Sequence, residues 1–437
     1  MRPWHSLVPV LALACVDARA ASVADPLPEP FPDTEASKAF AATDELEDLY
    51  MTGQIAEVAR QGMVLIRAGD PKPDPELRLK IALSLSAQQR QKEAIEQLKI
   101  VVDSEDRATA REAQIPLANA YRWSGRPDMA LPHFVQAAID NPKNQDAQDG
   151  VTAMDRELRP RTTAQWTGVR DNGGLRVQQL SVAHRWRGED MARVYEVETH
   201  GGSYEFKDVG PHARPKGVTL RHERTDLPLE PKVSVTWDAR PLSGLLGELR
   251  LKMTDWLTLS AARDNWGAVS LAPRALEAGM TANRLTADGL FLTAAGVFSG
   301  RLSYNRVSDG NRVTTSTFKY APALPFGGGV VKPYVFVDTR SVGFNTPNYW
   351  SPAAGVGIYG LGSTFEWVNK DWYFIAAAQY GDRWFGDAGK SWVASATVQR
   401  WINERTAVSA NWFGLSSIRD GARYRSHLLS LKLDWLW

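Results

Sequence analysis

Side chains able to do catalytic or metal chemistry are few in this sequence, and they are not grouped. None of its seven histidines lies four residues from another histidine or forms a metal-ligand pair with nearby carboxylates. We therefore predict no metal site and no cofactor. The chain also has no G-x-S-x-G nucleophile elbow and no phosphate-binding glycine loop. We therefore predict that it is not an enzyme, although sites of barrel enzymes are not local in sequence.

Three other segments suit hydrogen bonding and ring stacking along a passage, because they place charged and aromatic residues beside turn signals. They are Arg263-Asp264 with Pro273-Arg274-Ala275, then Ser308-Asp309-Gly310-Asn311-Arg312, and Tyr349-Trp350-Ser351-Pro352. An arginine that faces lipid at mid-membrane costs about 2–4 kcal/mol, so in a membrane barrel such residues are expected in the lumen or at its mouth. The predicted conduit residues are Arg263, Asp264, Arg274, Asp309, Arg312 and Trp350.

Adjacent residues on a regular strand point to opposite faces. Arg263 and Asp264 can therefore both line a conduit only if the chain is already leaving the sheet there.

The elements that would position these residues are strands with one apolar and one polar face, which begin after Arg159-Pro160. In one example Phe298, Gly300, Leu302 and Tyr304 alternate with Ser299, Arg301, Ser303 and Asn305. In a membrane barrel the apolar face meets lipid and the polar face lines the lumen. We predict an antiparallel β-barrel over 160–437, with 16 strands favoured over 14. Long loops are expected at 208–216, 264–284 and 341–354, opposite the short turns.

The C-terminus carries the sharpest strand pattern. Leu429, Leu431, Leu433, Trp435 and Trp437 alternate with Ser430, Lys432, Asp434 and Leu436. A last strand that ends on an aromatic residue resembles the assembly signal of bacterial outer-membrane proteins. We predict that Leu433, Trp435 and Trp437 form this signal in the strand that closes the barrel.

Residues 39–158 show helical periodicity and internal repetition instead, so the fold class is α + β multidomain. The clearest unit contains Ala118, Tyr121, Gly125, Ala130, Phe134, Ala137 and Pro142, which fits the tetratricopeptide pattern. A weaker copy has Ala82, Leu85, Ala94 and Leu98, and the weakest centres on Gly53 and Ala56. Such stacks are usually docking scaffolds for proteins. A plain helical bundle is the alternative.

The N-terminus is predicted to be a secretory signal peptide over 1–20, followed by a proline-rich linker over 21–38. Arg2 supplies the positive start, 7–15 is a short apolar run, and Ala18-Arg19-Ala20 is an A-x-A cleavage site. The only cysteine, Cys15, would leave with this peptide. A rival interpretation makes Cys15 a lipoprotein acylation site.

Charge separates the same two parts of the chain. Residues 1–158 hold 17 Lys+Arg against 25 Asp+Glu, whereas residues 159–437 hold 34 against 25. Opposite net charges of −8 and +9 indicate two modules in different surroundings. The arginines of the second module could line the lumen or bind lipopolysaccharide phosphates at the rim.

A repeat domain before a barrel, together with the three loop segments in this order, resembles the poly-β-1,6-N-acetylglucosamine export porin family and, more loosely, the cellulose exporters. The likeness covers roughly the last 180 residues and rests on Arg263-Asp264, the S-D-G-N-R turn at 308–312 and Tyr349-Trp350-Ser351-Pro352. The chain departs from the family in its short repeat array and in the longer loop after Asn265.

The resemblance implies an outer-membrane porin that exports an exopolysaccharide during biofilm matrix formation, with its repeats in the periplasm. Its partners would be the polysaccharide chain, a periplasmic modifying enzyme docked on the repeats, and outer-membrane lipid and lipopolysaccharide, but no nucleic acid. A translocon for surface lipoproteins and a structural or phage-receptor barrel are the alternatives.

Overall fold

The structure is a computed structural model. Its described residues are 35–69, 73–206, 213–227, 229–238, 246–293, 295–322, 331–369, 371–386, 389–419 and 421–437. The predicted signal peptide, Cys15 and most of the predicted linker lie outside them.

The described part of the N-terminal domain consists of eight helices that stack side by side. They are α1 (Glu35–Met51), α2 (Ile55–Ala68), α3 (Pro75–Ala87), α4 (Gln91–Val102), α5 (Arg107–Glu112), α6 (Gln114–Trp123), α7 (Pro127–Asp140) and α8 (Gln145–Leu158). No helix in the described part of the chain combines the length and apolar character needed to cross a membrane.

These helices form hairpins with a strict period. The chain turns through a positive φ at Gly53, Gln89 and Gly125, two steps of 36 residues, and α2, α4 and α7 each begin two residues later. The predicted unit at 111–142 has the expected core, since Ala118, Ala130 and Phe134 are buried. In the first unit the prediction that Ala56 is the central packing residue is wrong. The buried residue is Val58 rather than Ala56, because Ile55 occupies the position of Gln91 and Pro127.

Close helix packing depends on a glycine in the last helix. A Cβ on Gly150 of α8 would lie 2.3 Å from the Phe134 ring of α7, which real Cβ atoms do not tolerate. The start of α8 is capped by the Asn144 side chain, which accepts a hydrogen bond from the Ala147 amide. The last helix is thus held by its packing against α7 and by its N-terminal cap, and the first strand follows it directly.

The second domain is a closed antiparallel barrel of 16 strands, as predicted. Its strands are β1 (Arg161–Asp171), β2 (Leu175–Arg187), β3 (Arg193–Phe206), β4 (Lys216–Arg224), β5 (Lys232–Asp238), β6 (Leu246–Lys252), β7 (Leu257–Asn265), β8 (Thr281–Thr293), β9 (Gly296–Val307), β10 (Arg312–Pro322), β11 (Val331–Val342), β12 (Val356–Val368), β13 (Trp372–Gly386), β14 (Ser391–Trp401), β15 (Thr406–Arg419) and β16 (Ala422–Leu436). Each strand pairs with its neighbour in sequence, and β16 closes the barrel against β1.

The outward face is apolar, as the alternation predicts. On β16, Leu431 and Trp435 are 47% and 44% exposed, whereas Asp434 between them is 1% exposed. Asp434 faces inward and accepts a hydrogen bond from the Thr163 hydroxyl of β1 at 2.6 Å. The seam that closes the barrel is therefore held by the backbone ladder and by polar contacts on its inner side.

The connections divide the barrel into two ends. Because β1 follows α8 directly and the strands alternate in direction, the odd strands start at the end that carries the helices, the helical end. The two long described connections, 266–280 and 343–355, lie at the opposite end, the loop end. The loop predicted at 341–354 is thus at the far side of the barrel from the repeats.

Candidate functional site

One side of the lumen, formed by β3 to β9, is lined by ion pairs. The Arg221 guanidinium contacts both Glu196 and Glu198. Arg284 pairs with Asp264 at 3.1 Å on the neighbouring strand. Because basic and acidic side chains alternate on neighbouring strands of this wall, their charges largely offset one another.

The other side, formed by β13 to β16 and β1, presents uncharged hydrogen-bonding groups across its middle. Four half-buried polar residues on neighbouring strands face one another in one row across the sheet: Thr167, Ser430, Asn411 and Thr397. Thr167 and Ser430 lie 2.9 Å apart, and the Asn411 amide donates to Thr397 at 2.6 Å. Gln165 donates to Ser430 at 3.0 Å. Hydroxyl and amide groups can exchange such bonds with the hydroxyls of a neutral ligand.

The loop 266–280 covers part of the mouth at the loop end. It forms two short helices, α9 (Trp266–Val269) and α10 (Pro273–Glu277), and folds inward. Leu276 is fully buried in a cluster with Val177 and Tyr204 of β2 and β3, well around the barrel from the strands that carry the loop. Gly267 permits this packing, because a Cβ there would lie 2.2 Å from the Leu276 backbone nitrogen.

The loop 343–355 packs against this loop and adds to the cover. The Tyr349 ring packs edge-on against Trp266, with 5.5 Å between centroids, and its hydroxyl donates to Asp309 at 3.0 Å. Burial raises the pKa of the Tyr349 hydroxyl, so it remains a donor at neutral pH. The Asn311 carboxamide ties the loop to the neighbouring turn, since its oxygen accepts from the Gly343 amide at 2.9 Å.

Trp350 lies between two arginines of the barrel wall. The Arg340 and Arg419 guanidinium carbons lie 5.5 and 4.3 Å from its ring centroid, a cation–π geometry. Arg340 also donates to the Trp350 carbonyl at 3.1 Å. The indole nitrogens of Trp350 and Trp266 are buried and have no hydrogen-bond partner in the described part of the chain. The loop-end mouth thus holds aromatic faces and unsatisfied donors in one place.

The helical domain covers the other mouth. Arg156 of α8 stacks on Trp401 at 4.2 Å, and Glu157 lies 3.9 Å from Arg187. Between α6, α8 and the ends of β1, β2 and β12 to β14 is a cavity of about 1160 Å³. Asn119 of α6 lines this cavity and also a second one, of about 650 Å³, that reaches the turn after β6. Helix α6 therefore lies across the opening.

A further electrostatic contact joins the two domains near the turn 225–231. A hydrogen bond from Arg224 lowers the pKa of Asp226 to about 2, and Arg126 of the helical domain adds to the effect. Asp226 is thus ionised at neutral pH, and it keeps an attraction for Arg126 of the helical domain.

The structure separates the predicted conduit residues into three groups. Asp264 faces the lumen, and Asp309 and Trp350 take part in the loop-end cover. Arg263 and Arg312 lie within regular ladders, opposite Asn283 and Arg306, and so face outward. A lumenal role for both Arg263 and Asp264 requires the chain to leave the sheet at Arg263. The chain does not leave the sheet there, so this prediction is wrong for Arg263. Arg274 is exposed on α10.

Several residues of the site have no signal in the sequence. Arg340 and Arg419 come from two different strands and meet at Trp350, and the uncharged row comes from β14, β15, β16 and β1. Their residue types are ordinary for strands and turns. Only the parity of each residue within its strand, which requires exact strand bounds, would have identified them.

The comparisons with known proteins bear on the fold. No family model and no curated protein matches the chain. A solved bacterial polysaccharide outer membrane secretin superposes with a TM-score of 0.50 at 10% identity, over 64% of this chain and 99% of that one. The fold is that of an outer-membrane barrel.

Two further solved structures show weaker likenesses. The Pseudomonas aeruginosa structures OccK11 (OpdR) and OpdQ both match at 10% identity over 64% of this chain, with TM-scores of 0.34 and 0.35. They cover 96% and 99% of those chains. The matched share is about that occupied by residues 161–437. At such identities the likeness concerns architecture and carries no functional residue across.

Proposed function

We propose that this protein is an outer-membrane channel that exports an exopolysaccharide, of the poly-N-acetylglucosamine kind, for a biofilm matrix. The observation that carries the proposal is the uncharged lumenal row of Thr167, Ser430, Asn411 and Thr397. A neutral sugar polymer can slide along such a wall by exchanging one hydroxyl hydrogen bond for another. Ion-pair lining on the opposite side leaves no strong binding field that would hold the chain in place.

The loop-end cover supports the same function. Sugar rings present apolar faces that stack on aromatic rings. Trp350 and Trp266 lie in the mouth, and their indole donors have no partner among the described residues. Passage requires the loops to move aside, so the polymer would replace the contacts that now hold them. No chemical step is needed.

In this proposal the helical domain faces the periplasm and receives the polymer or a modifying enzyme. Its 36-residue hairpins are close to tetratricopeptide units, which commonly dock proteins. The cavity between the helices and the barrel, lined by Trp186, Trp372 and Trp401 among others, would be the entrance.

The test combines a cellular and a binding measurement on the full-length chain. We expect deletion to reduce surface polysaccharide, and Asn411→Leu with Thr397→Val to fail to restore it while the barrel assembles normally. Losing two hydrogen bonds of about 0.5–1.5 kcal/mol each should weaken binding of β-1,6-linked glucosamine oligomers by about fivefold to about 140-fold in titration calorimetry.

The matched control is Gln178→Leu, which makes a similar polar-to-apolar change on the outward face of β2. It should leave polysaccharide and oligomer binding unchanged. Normal surface polysaccharide in the deletion strain, or equal effects of the lumenal and outward variants, would refute export through this lumen.

A further inference from the structure

Arginines face each other directly across the ladder at two places on the outward surface. Arg306 stands opposite Arg312, and Arg170 stands opposite Arg176. Each pair flanks a tight turn at the loop end, and all four side chains are exposed. None of the four makes an ion pair or a side-chain hydrogen bond within the described part of the chain. Like charges directly opposite in a sheet repel and are destabilising, and among the described residues no ion-paired carboxylate offsets that repulsion at these four arginines.

In a third outward pair of facing arginines, carboxylates neutralise both charges. Arg193 stands opposite Arg224 at the helical end of the barrel. There each guanidinium has its own carboxylate, Asp190 at 3.0 Å and Asp226 at 2.6 Å. The barrel thus neutralises facing arginines at its helical end and leaves them open at its loop end.

The pair of Arg306 and Arg312 belongs to a longer row. Asn283 stands opposite Arg306 on one side and Arg263 on the other, so three arginines and an amide cross β7 to β10 on one level. With strands about 4.8 Å apart, the row spans roughly 14 Å. The next level toward the helical end is apolar, with Leu285 60% exposed. Donors therefore sit at the boundary of the surface that contacts lipid chains.

We propose that this row binds the phosphate groups of an outer-leaflet glycolipid, lipopolysaccharide. Guanidinium groups bind phosphate oxygens through two parallel hydrogen bonds, and two facing arginines match a doubly charged group. The acyl chains would lie on the apolar surface below the row. Arg170 and Arg176 form a second, weaker site, because Glu205 stands opposite Arg176 and competes for it.

This inference is independent of what passes through the lumen. It places the loop end in the outer leaflet, and it gives Arg263 and Arg312 a role at the lipid surface instead of in the conduit.

The test is Arg306→Gln with Arg312→Gln in the full-length protein, purified from outer membranes in mild detergent. We expect the lipopolysaccharide retained per folded barrel, measured by native mass spectrometry, to fall at least several-fold. Arg193→Gln with Arg224→Gln removes the same charge from the helical end and should leave retention unchanged. Millimolar inorganic phosphate should not displace the glycolipid from the wild-type protein, because it lacks the acyl chains.

Equal retention in the Arg306/Arg312 variant and the wild type, or an equal loss in the Arg193/Arg224 control, would overturn the proposal. Displacement by inorganic phosphate would do so as well, by showing a simple anion site. If the double variant does not assemble, Arg312→Gln alone serves the same purpose. It relieves the like-charge pair and should raise the thermal midpoint in lipid-free detergent while lowering lipid retention. A variant that keeps its lipid counts against the site.

Discussion

The contact that fixes the loop 266–280 in the mouth can be tested by shortening one side chain. Leu276 is fully buried against Val177 and Tyr204, and Leu→Ala substitutions at such sites cost about 2–5 kcal/mol. Because the lost packing holds a loop and not a strand, the cost should fall on docking of the loop and spare the barrel. Docking would then weaken by about 30-fold to about 4000-fold, at tenfold for each 1.4 kcal/mol.

Hydrogen exchange reads this equilibrium directly, since amides exchange when the loop opens. The informative amides are those of Trp266, Ala272 and Met280, which donate within the loop at 2.8 to 2.9 Å. In Leu276→Ala the protection of these three amides should fall by about 30-fold to about 4000-fold. If the docking equilibrium of the wild-type loop is smaller than this factor, no protection should remain. The strands should keep their protection.

The control is Leu285→Ala, the same chemical change at an outward-facing position that is 60% exposed. It should leave the three loop amides unchanged. A fall of less than about tenfold in Leu276→Ala, or a fall shared by all strands, would refute the argument that this residue holds the loop over the mouth.

Three further outcomes are expected. Removing 433–437 takes away the end of the closing ladder and the contact of Asp434 with Thr163, so the protein should not assemble; normal heat-modifiable protein on gels would contradict this. A tag at Asn345 should label on intact cells, and one at Lys143 only after lysis; the reverse would invert the proposed orientation. Burial lowers the pKa of His133, so the neutral form is favoured on folding. The stability from that difference is complete above pH about 6.5 and is lost as pH falls. The helical signal in circular dichroism should therefore melt earlier at pH 5 than at pH 7.5, and His133→Gln should reduce this difference.

Much of the architecture follows from the sequence, because it depends on local periodicity. Alternation with period two separates a lipid face from a lumen face whatever the rest of the chain does, so the barrel, its even strand number and its last strand were predictable. The helical hairpins were recognisable for a similar reason, from small residues at fixed intervals. The prediction for the first unit is wrong because Ala56 is small and close to the expected spacing, whereas the turn at Gly53 makes Val58 the buried residue.

The site itself was decided by the tertiary structure. Whether Arg263 or Asp264 faces the lumen depends on strand parity, and a shift of one residue exchanges the two faces. The meeting of Trp350 with Arg340 and Arg419 depends on how far a loop folds inward, which no local pattern encodes. The facing arginines at 306 and 312 become neighbours only through the register of two strands across a tight turn. Sequence alone determined which residues could do the chemistry, and closure of the barrel determined which of them meet, because contacts between strands and loops are set by pairing and not by proximity along the chain.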